Sequence, residues 1–548
     1  MPIPPRLLCA SLILIAAHAA ALAAAPAGVK EALSGERLGL AQGSDFRLAK
    51  GDCTDCPTIK QALWYFQDDV IAVPRADKPV SGFKPTADIA ASMQEWAASK
   101  ERASPALPGL VWLGAPHIID DAAILPSGDA VRGADGSTAS LLLVPKIASN
   151  LSYWDKKTTA FFSQRPLRMR GTYDGKAFVA RTVWPKDFRI DQASLTPRPL
   201  APPETLASFV QAENGGASSP YSTRLLWERT PGQARQWQDK PVIGVMLNGA
   251  QGDDDEAFGG HFAIATGHMG KQGEWSDWIV NNFYNLDSVS EKGIIAAPVP
   301  MDNYLMDLNS GQQYYRPSYM LVAVLNNPRT AIAYQGGVQR VFNHFYRHDF
   351  TYKHASANCA GISLDVFKAL GWQIPERGPT SRLKAFGAYA YLSAKDMSLT
   401  SGRKIYDYLT EEQVRLYPAV AFEAAGADLM QLVGAARGGQ ARALTDFEKQ
   451  LQSDVEALVL VRIPQVPSSR VMGSNPVFSF DEFMARTPPD QADWKIVPVG
   501  PRPFPAALRD GTVAVDDTPS PVPLPVGGIA LAGVVGIGAL LRRRRKQA

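Results

Sequence analysis

The chain of 548 residues is long enough for two or three domains with substantial cores. Charged residues at 20% and hydrophobic residues at 46% fit globular protein, and a net charge of +3, which includes basic clusters at the ends, argues against a nucleic-acid partner. The 42 prolines and 45 glycines predict many loops rather than one regular sheet.

Residues 1–25 read as a secretory signal peptide, with Arg6, an apolar Ala-rich run and Ala21-Leu22-Ala23 as the small-x-small cleavage pattern. Its removal takes Cys9 and leaves Cys53, Cys56 and Cys359. In an oxidising compartment Cys53 and Cys56 are expected to form a structural disulfide, which makes Cys359 the odd thiol. Residues 26–200 form a mixed α/β region, with helical patterns at 58–67 and 87–103 and strand-like runs at 140–144 and 176–183. His117 stands alone there and reads as a packed or surface histidine.

A Pro-rich connector at 196–203 opens a domain assigned to 201–395. Strands are expected at 242–247, 261–266, 275–284 and 318–325, the second and third paired as a hairpin across a turn at 267–273. An amphipathic helix at 337–347 presents Val338, Val341, Phe342 and Phe345 to the core. Ile362, Val366, Phe367 and Leu370 then recur at helical spacing, with Ser356 or Asn358 as cap and Gly371 as stop. Residues 396–497 read as a helical C-terminal region. Thr410, Thr445 and Ser479 each open a capping-box pattern there, and 459–463 reads as a strand.

Residues 498–525 form a Pro-rich spacer, and 526–548 an apolar stretch ending in Arg542, Arg543, Arg544, Arg545 and Lys546. That order predicts a C-terminal membrane segment in the inner membrane with a cytoplasmic basic end. Val522-Pro-Leu-Pro-Val526 with the segment behind it resembles the VPLPA-CTERM class of exosortase sorting tails, with Val526 where that family has Ala. The resemblance implies an exported protein, on the periplasmic side of the inner membrane or at the cell surface, whose tail meets an exosortase-type processing enzyme.

The chemistry centres on Cys359. At a helix start, unpaired amides and the helix dipole favour a thiolate and predict a lowered thiol pKa. A cysteine nucleophile needs an imidazole to take its proton and a third polar group to orient that imidazole. His261 is the expected base. It shares a strand face with Ala263 and Ala265, opposite a strand holding Asp277, Asn281 and Asn282. Asn281 or Asn282 is favoured as the orienter because a hairpin returns that strand end to His261, and the Cys359 amide is placed to serve an oxyanion hole. His348 and His354 are alternative bases. His344 and His348 are spaced to share a metal, but Phe345 stands where a metalloprotease motif has Glu, so neither a metal nor a cofactor is expected. The acidic stretch Asp253-Asp-Asp-Glu256 reads as a solvated loop rimming the cleft rather than a calcium site.

The order Gly260-His261-Phe-Ala-Ile on a strand, a second strand with a polar residue, then Asn358-Cys359 opening a helix resembles the circularly permuted papain-like fold. That group includes lecithin:retinol acyltransferase-like proteins and relatives of the NlpC-type cell-wall hydrolases. The resemblance implies an α+β sheet-plus-helix domain with Cys359 as nucleophile, His261 as base and Asn281 or Asn282 as orienter. Asn281-Asn282 replace the second histidine usual in the acyltransferases, which favours amide or peptide hydrolysis. The expected function is an exported cysteine hydrolase acting on peptides, of the cell wall or of a matrix. The alternatives are a non-enzymatic surface or extracellular-matrix protein that keeps the fold as a scaffold, and a thiol acyltransferase.

Overall fold

Two runs without a single exposed residue, Pro241–Asn248 and Ser318–Leu325, form the middle of the largest sheet. Apolar runs of this kind need a neighbour on each side and cover on both faces. In the computed structural model, which describes residues 28–81, 89–147, 154–290, 294–436, 442–497, 499–502 and 504–508, that requirement organises an α+β fold.

The sheet has seven strands: β1 (Ser222–Glu228), β2 (Pro241–Asn248), β3 (His261–His268), β4 (Ile279–Asn282), β5 (Ala297–Pro300), β6 (Ser318–Leu325) and β7 (Val455–Ile463). Their order is β1-β7-β6-β2-β3-β4-β5, and every neighbouring pair is antiparallel. The expected hairpin is β3–β4, with Ile264 opposite Asn281. Its second strand is shorter than 275–284 because Trp278 turns in and donates its indole N–H to the His268 carbonyl at 2.7 Å.

One face of the sheet is covered by α1 (Arg329–Tyr346), α2 (Cys359–Leu370) and α5 (Pro418–Leu432). Between them, α3 (Arg382–Lys395) and α4 (Leu399–Thr410) form an outlying helical hairpin. Phe283 stacks on Phe342 of α1 with ring centroids 4.1 Å apart, which fixes the side of β4 that α1 covers. Residues 396–497 are not a separate helical region. Strand β7 is inserted between β1 and β6, and α5 packs on β2 and β3, so this segment shares the sheet and the core of 201–395. The cause is the run Leu458-Val-Leu-Val461, apolar on both faces and fully buried. Thr445 does cap its helix with reciprocal bonds to Glu448 (3.2 and 2.9 Å), and Ser479 accepts from the Glu482 amide at 3.2 Å. Thr410 instead ends α4, and Glu412 caps the short turn that follows.

The N-terminal region forms a second sheet of six strands. Ala130–Arg132 pairs back onto His117–Ile124 and closes it on itself, while Cys53 and Cys56 are joined as a disulfide nearby in the chain. His117 is a packed strand residue whose Nδ1 accepts the Tyr173 amide at 3.1 Å. Two strands here, His117–Ile124 and Leu167–Tyr173, were not expected from sequence, because charged residues interrupt the alternation. The two arginines among them are buried and paired. Arg170, fully buried, donates Nε to Asp302 at 2.6 Å, and Arg168 bonds Glu36, Asp120 (3.2 Å) and Asp302 (3.4 Å). Asp302 lies in the Met301–Met306 turn after β5, so this network fastens the N-terminal region to the main sheet.

The expectation of a transmembrane segment is not met: among the described residues no helix is long and apolar enough to cross a membrane. The stretch 526–548 that carried it, like the signal peptide at 1–25, lies outside the described residues. The spacer begins as docked chain, since Val499–Pro501 pairs with Ser288–Ser290 and Phe504 packs on His348 at 4.0 Å.

Asp302→Ala leaves two buried guanidinium groups without their shared carboxylate and is expected to destabilise the protein by about 3–5 kcal/mol. Chemical denaturation measures this, and an unchanged midpoint would contradict the fastening role.

Candidate active site

His261 is the first residue of β3, and Gly260 delivers it there. Gly260 holds φ at +75°, and a Cβ on it would lie 2.3 Å from the Asn248 carbonyl oxygen, so only glycine fits. His261 is nearly buried, and its Nε2 lies 2.6 Å from Asn282 Oδ1 on the neighbouring strand. Asn282 Nδ2 donates to the Ile295 carbonyl, which fixes the amide with its oxygen towards the imidazole. His261 therefore carries its proton on Nε2, and Nδ1 keeps the lone pair.

Strand alternation resolves the pair of asparagines. Asn281 faces the other side and sits beneath α1, where its Oδ1 accepts from Gln335 at 3.1 Å and Gln339 at 3.4 Å. Asp277 precedes β4 and lies in the field of Arg168, away from the imidazole. Of the candidates, Asn282 meets His261.

Cys359 is the first residue of α2. Asn358 caps the helix, accepting from the Gly361 amide at 2.9 Å and donating to the carbonyls of His354 and Leu416, each at 3.0 Å. Gly371 closes it with φ +108°. The Cys359 N–H donates to the Tyr352 hydroxyl at 3.4 Å, and the Phe262 amide, of the residue after His261, and the Tyr352 hydroxyl both favour the thiolate form of its side chain. Cys359, His261, Tyr352, Asn358, Gln312 and Arg316 line one cavity of about 350 Å³. The nucleophile and base expected from the sequence thus share one cavity, and Asn282 stands behind the base.

The alternative bases separate. His354 lines the mouth of the cavity and is exposed. His348 is not among the lining residues: its Nε2 meets the Tyr65 hydroxyl and its Nδ1 lies 3.7 Å from Asp287. His344 lies 3.6 Å from Asp349, and no group of three or more metal-ligating side chains occurs among the described residues. The acidic loop is tied down by protein partners, Asp253 to Arg470 and Asp255 to the Lys495 backbone at 2.8 Å.

The electrostatics differ from a helix-start thiolate. Burial pushes the Cys359 thiol up, outweighing the Phe262 amide, the Tyr352 hydroxyl, the Ala360 amide and the Arg316 charge, all of which favour the thiolate. Burial and the Arg316 charge push His261 down to about 3, against the bond to Asn282. The resting pair is neutral thiol and neutral imidazole. The helix dipole was the visible cue, and desolvation by the assembled fold overrides it. Arg316 itself was missed. It is nearly buried, with Nε and Nη2 on Gln312 Oε1 (3.0 and 2.6 Å) and Nη1 on the Gly249 carbonyl (3.1 Å). An arginine between Tyr314-Tyr315 and the buried run from Ser318 was the available signal.

Comparison of the chain with protein-family models, with curated proteins and with solved structures returns no match.

Two pH effects follow. Alkylation of Cys359 is expected to rise with a midpoint above the value of about 8.5 for a free cysteine. A midpoint at or below 8.5, read from iodoacetamide rates, would contradict the neutral pair. His261, at about 6.5 when unfolded and about 3 when folded, contributes stability that is complete above pH 6.5 and is lost as pH falls towards 3. Denaturation of wild type and His261→Gln across that range should show a flatter acid limb in the variant; parallel curves would count against the burial of the imidazole.

Proposed function

We propose that this protein is a thiol hydrolase of the permuted papain-like type, cleaving amide or peptide bonds with Cys359 as nucleophile, His261 as base and Asn282 as orienter. The observation that carries the reading is the His261–Asn282 bond beside a cavity into which a helix start brings Cys359. His261 Nδ1 takes the thiol proton as Sγ bonds the carbonyl carbon. The same proton passes to the departing amine as the C–N bond breaks, leaving a thioester on Cys359. His261 then takes a proton from water as the water attacks the thioester, and gives it to Sγ as the C–S bond breaks, which releases the acid and restores the thiol and the neutral imidazole. The Cys359 N–H, now turned to the Tyr352 hydroxyl, is the candidate donor to the oxyanion. Because the thiol rests neutral, proton transfer accompanies attack instead of preceding it. The Cys53–Cys56 disulfide supports an oxidising, extracytoplasmic location, in keeping with peptides of the cell wall or an extracellular matrix as substrates.

The test is turnover of peptidyl amides, with intact-mass detection of the acyl group on Cys359. His261→Ala is expected to lower the acylation rate on the order of 10²–10⁴-fold. Asn282→Ala should lower it by a smaller factor, and Asn281→Ala should leave the rate per folded molecule unchanged. A folded wild type that forms no adduct with any amide or thioester substrate would favour the scaffold reading, to which the burial of Cys359 already lends weight.

A further inference from the structure

We infer that Arg316 is an anion-recognition group, and that the substrate bears a single carboxylate close to the bond cleaved at Cys359. This rests on the thiol-hydrolase reading and deepens it. Arg316 lines the same cavity as Cys359 and His261, and its charge acts on both. Among the described residues its hydrogen bonds go to neutral acceptors, two to the Gln312 side-chain oxygen and one to the Gly249 carbonyl. A guanidinium has five N–H donors, so two remain for a ligand. No carboxylate forms an ion pair with it among the described residues; Asp254, buried on the cavity wall, acts on it only through space. Buried cations are ordinarily paired, and one left unpaired beside a nucleophile is completed by the anion that enters the cavity. The carboxylates of Asp254 and of exposed Glu256 line the same space and oppose a second negative charge. A monoanionic carboxylate fits this balance better than a phosphate.

Two reagents of equal size separate the roles. Iodoacetate carries the carboxylate and iodoacetamide does not. In the wild-type chain the ratio of their rates at Cys359 is expected to exceed that of a free thiol by about tenfold or more. The ratio should fall to the free-thiol value in R316Q and be largely kept in R316K. Propionate, but not propionamide, should protect wild-type Cys359 from iodoacetamide, a readout that needs no variant. A reactive thiol with no anion preference overturns this inference alone. A preference kept in R316Q assigns it to a protonated His261 and overturns it too. Equal slowing of both reagents in R316Q would make Arg316 a general electrostatic support of the thiol and not a recognition group. A thiol inert to both reagents removes the hydrolase reading and this inference together.

Discussion

The hydrogen bond between His261 Nε2 and Asn282 Oδ1 is the constraint on which the site depends. It selects the imidazole tautomer, and so decides which ring nitrogen can accept a proton. Its geometry is inherited from the sheet. Asn282 reaches His261 only because β3 and β4 pair in one register, and a slip of one residue would send Asn281 there instead. The register is held from outside the site. Phe283 is locked on Phe342, Asn281 is held by Gln335 and Gln339, and the Asn282 amide is pinned by the Ile295 carbonyl.

Burial sets the chemical character of the pair. A thiol at a helix start has amides and a dipole that favour the anion, yet here Cys359 also lies against the sheet, almost without contact with water. Removing water costs the thiolate more than these dipoles return, and Arg316 makes the imidazolium less favourable still. A ligand that brings its own negative charge would offset the guanidinium and ease protonation of His261 during attack. Substrate recognition and activation of the nucleophile would then be coupled through one arginine.

The legible parts of this structure are those fixed by short-range pattern. The continuous apolar runs of β2 and β6 and the hairpin of β3 and β4 announce themselves, as does the helix opened by Asn358-Cys359. The cysteine and its histidine could be named because each sits at an element boundary that sequence marks. Three features could not be read. Choosing Asn282 over Asn281 requires the register. Two strands of the N-terminal sheet are disguised by Asp120, Arg168 and Arg170; the two arginines pair with Asp302, more than a hundred residues away, and Arg168 also with Asp120. The thiol's raised pKa and the place of Arg316 arise only once separate elements have closed around one cavity.

Asn282 holds His261 with its proton on Nε2 and its lone pair on Nδ1. Nitrogen NMR of histidine-labelled protein, with His261→Gln for assignment, reads this directly. A neutral ring protonated at Nε2 from pH 8 down to about 5 is the predicted result, because the folded group titrates near 3. A ring protonated at Nδ1, or an imidazolium at pH 7, would contradict the account.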